Sequence, residues 1–263
     1  MPIYNSLISR ADSGGLIPDE TSREIMQGIT EQSAVMRLAR RMPNMSTKQR
    51  KIPVLATLPT AYFVDGDTGL KQTTKVDWTN KNLIAEELAV IVPVPEAVID
   101  DASYDIWGEV KPLIVEAMGV AFDAAVLHGT NAPASWPDDL LTGAAAAGHT
   151  VDLSTQIGAG DDLYDIIMGE SGVLALVEED GYMVNGHAAA LSMKAKLRGL
   201  RDANGQPIFM RSMQEGTRYE LDGEPMYFPR NGAIDPTAAL MFSGDWTKVV
   251  YALRQDITWK FAD

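Results

Sequence analysis

A chain of 263 residues with a net charge of −14, 46% hydrophobic and 22% charged residues, and no cysteine has the make-up of an ordinary globular protein, large enough for one big domain or two modest ones. The composition excludes disulfides and thiolate metal sites. No apolar run approaches the roughly 18 residues of a membrane span, and Met1-Pro2-Ile3-Tyr4-Asn5 lacks the basic and apolar regions of a signal peptide, which fits production in a cytosol. The acidic total is opposite in sign to that of a protein that grips nucleic acid by its backbone.

In chain order, residues 1–20 are polar and turn-rich and read as an extended arm. Thr21 or Ser22 is placed to cap a helix running to about Arg41, ended by Pro43. Residues 51–85 then alternate with period two. One arm, Ile52 to Val64, sets Ile52, Val54, Ala56, Leu58 and Tyr62 on one face. The return arm, Leu70 to Ala85, sets Lys71, Lys75 and Lys81 on one face and Val76, Trp78, Asn80 and Asn82 on the other. Asp65-Gly66-Asp67-Thr68-Gly69 between them is a turn, so the segment is a long hairpin. Pro53 and Pro59 mark the first arm as an edge. A two-stranded ribbon with one thin apolar face is marginal in water. Another surface must cover it, which points to assembly.

Leu88 to Val94 reads as a short apolar strand. Ser103 to His128 reads as a long core-facing helix closed by Gly129, with a kink or a start near Lys111 because of Pro112. Its stripe is Ile106, Val110, Leu113, Ala117, Val120, Ala124 and Leu127, widened by Ile114, Met118, Ala121, Phe122 and Ala125. Residues 129–160 read as loop. Asp161 or Asp162 caps a helix through Glu179, Tyr182 to Asn185 is a buried strand, and His187 to Leu200 is a helix. Asn204-Gly205 and Asp222-Gly223 are tight turns. Segments 208–210, 226–228, 239–243, 249–253 and 257–261 are the remaining strands.

Charge is segregated. Six basic residues, including Arg37, Arg40 and Arg41, lie between Arg37 and Lys51 with no acid among them. Seven acids, including Asp100, Asp101 and Asp105, lie between Glu86 and Glu109 with no base. These are either two solvated faces or complementary patches on neighbouring copies.

Catalytic and ligand-binding patterns are missing. His128, His149 and His187 are widely spaced and read as surface or loop residues. Asp12-Ser13-Gly14-Gly15 resembles a protease nucleophile segment but lacks its context, and Gly169-Glu170-Ser171-Gly172 misses the G-x-S-x-G spacing. There is no phosphate-binding glycine loop. The Asp65 turn fails as a calcium loop because its twelfth position is Val76. No cofactor or metal is expected, and no enzymatic activity.

Several segments resemble the major capsid proteins of tailed bacteriophages, the Hong Kong ninety-seven-type fold shared with encapsulins. They are Leu16-Ile17-Pro18-Asp19-Glu20, Lys51-Ile52-Pro53, Ala61-Tyr62-Phe63-Val64, Val94-Pro95-Glu96 with Ile99-Asp100-Asp101, Phe122 to Gly129, Leu200 to Pro207, and Ser243-Gly244-Asp245-Trp246. Each is weak alone, but their order spans nearly the whole chain. The resemblance implies an α+β protomer with an N-terminal arm and helix (1–45), an extended E-loop hairpin (46–86), a peripheral domain with a long spine helix (87–130), an apical domain (131–243) and return strands to the peripheral domain (244–263). It implies an icosahedral shell of pentamers and hexamers around double-stranded DNA. The expected partners are copies of the chain, with scaffolding, portal or decoration proteins, packaged DNA without sequence-specific contact, and no membrane. The expected location is the virion, after synthesis in the bacterial host cytoplasm. Inter-subunit contacts are expected from Tyr62, Phe63, Lys71, Lys75, Val76, Trp78, Arg37, Arg40, Arg41, Asp100, Asp101 and Asp105. The family pattern continues past the strand near Phe261, whereas this chain ends at Asp263, truncated or short. Some members cross-link through an E-loop lysine and an asparagine of that later segment, so no cross-link is expected. Alternatives are an encapsulin-like compartment and, more remotely, a serine hydrolase using Ser13 or Ser171.

Overall fold

The computed structural model describes residues 33–64, 73–93, 106–159, 162–201, 204, 206 and 219–255. The arm, the hairpin turn, Ser103 and the expected strands at 208–210 and 257–261 lie outside these residues.

The mixed α and β fold is centred on one short strand, three of whose four residues are glycine or alanine. After β1 (Arg40–Arg41), β2 (Gln49–Thr57) and β3 (Asp77–Ile84), strand β4 (Gly186–Ala189) is buried at every position. It pairs parallel with β6 (Glu224–Tyr227) and antiparallel with β7 (Met241–Gly244), while β5 (Tyr219–Leu221) adds to β6. Alternate β4 residues face opposite sides of the sheet. Ala188 joins a cluster with Val35, Leu127, Ile234 and Trp246. Ala189 joins another with Ile167, Leu174, Met193, Leu197 and Met226. The β5–β6 turn is Asp222 (φ 53°) and Gly223 (φ 79°), the left-handed pair that a two-residue hairpin requires.

The long helix (Ile106–His128) runs unbroken through Pro112 rather than starting at Lys111. Its buried side is Ile114, Val115, Met118, Asp123, Ala125 and Leu127, whereas Leu113 is 64% exposed. Three of these, Ile114, Met118 and Ala125, are residues expected to widen the stripe, Leu127 belongs to the stripe itself, and Val115 and Asp123 belong to neither. Gly129 (φ 68°) closes the helix, as expected.

Several elements differ from their sequence expectation. Among the described residues the expected first helix is seen as Ala34–Leu38 and gives way to strand at Arg40, short of Arg41; its expected start at Thr21 or Ser22 lies outside them. Arg40–Arg41 forms a strand parallel to Val250–Tyr251, a partner about 210 residues away that no local signal announces. Residues 88–93 join no strand among the described residues. Residues 129–160 hold two helices, Leu140–Ala147 and Leu153–Ala159, the first capped by Asp139. The helix expected to run to Glu179 is split into Leu163–Met168 and Val173–Glu179. At the break, a Cβ on Gly169 would sit 2.4 Å from the Asp165 carbonyl oxygen. The buried strand is Gly186–Ala189, not Tyr182–Asn185, where Tyr182 and Met183 are exposed. The following helix is Leu191–Gly199, so His187 belongs to a strand and is fully buried rather than superficial.

Candidate assembly surface

The hairpin exists, but its strands are shorter than the sequence pattern. They are Gln49–Thr57 and Asp77–Ile84, antiparallel, and they form a two-stranded sheet of their own. Residues 58–64 are not strand. Pro53, which cannot donate to a ladder, sits opposite Asn80. Between Leu55 and Thr57 the register shifts: two steps on one arm oppose one step, Trp78 to Asp77, on the other. This is a bulge at Ala56, and it breaks the strict alternation. The register places Leu55 directly opposite Trp78, on the same face as Pro53 and Asn80. Ile52 and Val54 lie on the other face with Lys81 and Thr79. The apolar residues are thus divided between two faces, neither of which the protomer covers well.

The exposures bear this out. Phe63 is fully exposed, Leu58 is 73% exposed and Trp78 67%. Tyr62, Val76, Val54 and Leu55 are exposed at 37–40%. Such a run of large apolar groups on one projecting element differs from the scattered exposed leucines of ordinary surfaces. Lys75 forms an ion pair with Asp77 at 2.7 Å, in the open, where it contributes little.

The basic segment is brought together near the hairpin base, but its members have different duties. The Arg37 guanidinium lies 4.6 Å from the Tyr227 ring centroid. Arg40 is an exposed residue of the strand paired with Val250–Tyr251. Arg41 donates to Asn44 Oδ1 at 3.3 Å, Arg50 donates to the Pro43 carbonyl at 3.1 Å, and Lys48 stands 3.8 Å from Glu86 Oε1. Lys71, Asp100, Asp101 and Asp105 lie outside the described residues; of the acidic run the structure places the side chains of Glu86, which Lys48 approaches within the protomer, and Glu87.

Two buried polar centres hold the body that carries the ribbon; the sequence reads one of them, His187, as surface or loop and gives the other, Asp123, no partner. Asp123, fully buried on the long helix, accepts hydrogen bonds from Ser33 Oγ at 2.5 Å and from the backbone N–H groups of Ala34 and Val35 at 2.8 and 3.2 Å. A carboxylate thus satisfies the open N–H groups of a distant helix start. Burial pushes its pKa above the ordinary 3.8, and the hydrogen bonds from Ser33, Ala34, Val35 and Asn231 pull it back. His187 is the second centre. Its Nε2 faces the Leu221 carbonyl at 3.2 Å, so that nitrogen carries the proton, and Nδ1 accepts from Ser243 Oγ at 2.9 Å. One ring thereby ties β4 to β7 and to the β5–β6 hairpin. Burial holds its pKa below 6.5, against the opposite pull of the Leu221 carbonyl and the Asp222 charge.

The Gly244-Asp245-Trp246 turn is built the same way. Asp245 Oδ1 accepts from Asn185 Nδ2 at 2.7 Å and from Thr247. Trp246 Nε1 donates to the Gly186 carbonyl at 2.9 Å, and the indole is buried.

The histidines are engaged away from Ser171. Besides His187, His128 Nε2 accepts from the Asp235 N–H at 3.1 Å, and His149 Nε2 lies 3.5 Å from Asp180. A surface cleft of about 360 Å³ is lined by His149, Val177, Asp180, Tyr182, Asp245 and Lys248, which include no serine. Among the described residues no acid–histidine cluster suits a metal ion, and no helix is long and apolar enough to cross a membrane.

Known proteins resemble this chain over most of its length. The major capsid protein of Staphylococcus phage 80alpha is 26% identical over 247 residues, which cover 94% of this chain and 70% of that protein. A solved structure from Microbacterium phage Oxtober96 is 37% identical, with a TM-score of 0.73 over 97% of this chain and 78% of its own. One from Mycobacterium phage Cain is 34% identical, with a TM-score of 0.71 over 86% of this chain and 72% of its own. The model of the phage capsid family matches residues 13–263. The chain belongs to the phage capsid family.

Proposed function

We propose that this chain is the major capsid subunit of a tailed phage, that its copies close into an icosahedral shell of pentamers and hexamers, and that the shell encloses double-stranded DNA. The observation that carries the reading is the projecting ribbon with Leu58, Phe63 and Trp78 exposed. In this reading residues 46–86 are the E-loop, residues 87–130 and 244–263 form the peripheral domain, and residues 131–243 form the apical domain. The ribbon lies on a neighbouring copy, which covers its apolar groups. Each large side chain covered contributes about 1.5–3 kcal/mol. Many such contacts act together around a closed shell, so one subunit leaves only by breaking several at once. Tyr62, Phe63, Val76 and Trp78 supply the apolar part of the contact. Arg40 and Arg41, with Lys71 and Lys75 on the ribbon, set its register by charge. The net charge of −14 suits a container whose lining does not immobilise DNA. The subunit's work is mechanical, and it catalyses no reaction.

Electron microscopy and size exclusion of the purified chain, beside a variant lacking residues 56–80, test the reading. The full chain forms shells, and the deletion variant folds but stays small. Shells from the deletion variant overturn the role of the ribbon. Particles filled with a protein cargo in place of DNA indicate an encapsulin-like compartment.

A further inference from the structure

The ribbon meets the body at a small junction. Trp136, half-buried in the loop after the long helix, donates its Nε1–H to the carbonyl of Ile84, the last residue of the return strand, at 3.1 Å. Its ring meets Phe122 of the long helix edge to face, with centroids 6.2 Å apart, and Phe122 meets Tyr251 at 6.3 Å in the same manner. One residue earlier, Ser135 Oγ donates to Glu86 Oε1 at 2.7 Å. Lys48, at the foot of the other strand, approaches that same oxygen at 3.8 Å, and its carbonyl accepts from the Ala85 N–H at 2.8 Å. Both feet of the ribbon are therefore referred to one short loop fixed on the long helix.

We infer that Trp136 is a positioning residue that sets the angle at which the ribbon leaves the protomer, and through it the curvature of the assembly. The angle is a property of the single protomer; only its consequence for curvature rests on the capsid reading. A two-stranded ribbon has no second layer to direct it, so the contacts at its base decide where its far end points. At about 3.3 Å per residue, the longer strand is roughly 30 Å long, and a rotation of about 10° at its base moves the far end by about 5 Å. That is about the spacing of neighbouring strands, enough to move an apolar side chain out of contact with its partner. A closed shell repeats each kind of contact by symmetry, so holding the ribbon within a narrow range of angles bounds the curvature that the copies can form.

The absence of native cysteine allows a pair of spin labels to be attached cleanly at Leu58→Cys and Lys196→Cys, both on exposed positions. Distances are read on the protomer fraction from size exclusion, with labelled protein diluted into unlabelled. The native chain gives one narrow distribution. Trp136→Phe keeps the edge contact with Phe122 and loses the donor to Ile84, and it widens the distribution at least two-fold. Ser135→Ala, which loosens the junction from its other side, widens it less and covers the case in which Trp136→Phe does not fold. An unchanged width in the variants that fold overturns the inference. Widening together with shells of native diameter overturns the link to curvature. A native chain that forms no shells overturns the capsid reading, and the protomer distances still decide the role of Trp136.

Discussion

Ser33 Oγ donates to Asp123 Oδ1 at 2.5 Å across 90 residues of sequence, and the same hydroxyl accepts from the Met36 N–H at 3.0 Å. The hydroxyl thus caps its own helix while docking that helix on the long one. The arrangement is buried, so its loss leaves donors without water. Asp123→Ala strands Ser33 Oγ and the N–H groups of Ala34 and Val35, and is expected to cost about 3 kcal/mol or more in chemical denaturation. Ser33→Ala is expected to cost about 1 kcal/mol. A double-mutant cycle gives a coupling well above that of surface pairs.

The two buried titrating groups respond to acid in opposite senses. His187 has a folded pKa below 6.5. The unfolded chain therefore takes up a proton first as pH falls below about 6.5, and the stability this group supplies at neutral pH is lost as pH drops toward its folded value. Asp123 has a folded pKa above 3.8. Its native state takes up the proton first, so its contribution is present in acid and lost as pH rises through the folded value. Stability between pH 7 and 5 is expected to decline, and NMR titration of the His187 ring is expected to give a midpoint below 6.5.

Phe63→Asp and Trp78→Asp touch side chains that the protomer leaves in water. Each is expected to shift the free energy of unfolding by less than about 0.5 kcal/mol and to abolish particle formation. Equal loss of both properties in calorimetry and light scattering places these residues in the protomer's own core instead.

Charge at the hairpin base is best tested at Arg40, because Arg37 is occupied with the Tyr227 ring and Arg41 with Asn44. Arg40→Glu is expected to slow assembly and reduce its dependence on salt while leaving the protomer's melting temperature unchanged. The triple reversal of Arg37, Arg40 and Arg41 adds a loss of stability from the broken contact with Tyr227.

Gly129 closes the long helix at φ 68°, and a Cβ there would lie 2.7 Å from Asp139 Oδ1. Asp139 caps the next helix through the Thr142 N–H at 2.9 Å. Gly129→Ala is therefore expected to cost more than the roughly 1 kcal/mol of the backbone conformation alone, and thermal melting checks it.

The sequence disclosed elements whose signals are local. Gly129 after a long apolar helix, Asp162 before Leu163, the Asp222-Gly223 turn and the paired arms of the hairpin all appear where their residue types place them. Signals carried by distant partners were unreadable. Arg40–Arg41 looks like the end of a helix until Val250–Tyr251 lies beside it. Ala188 and Ala189 favour a helix in isolation, yet on the central strand each packs into a separate buried cluster. The alanine run at 144–147 sits among glycines and prolines and was masked by them, although Asp139 before Leu140 is a serviceable cap. Asp123 is an acid on an apolar face, an anomaly visible in the sequence whose partner, Ser33, was not. On the ribbon, the apolar residues were legible and the bulge at Ala56 was not, because register depends on the facing arm.

Hydroxyl-radical footprinting of Phe63 and Trp78, in separated protomers and in assembled particles, tests most directly whether sister subunits cover the ribbon. The account predicts rapid oxidation of both side chains in the protomer and strong protection in the particle; equal oxidation in the two states contradicts it.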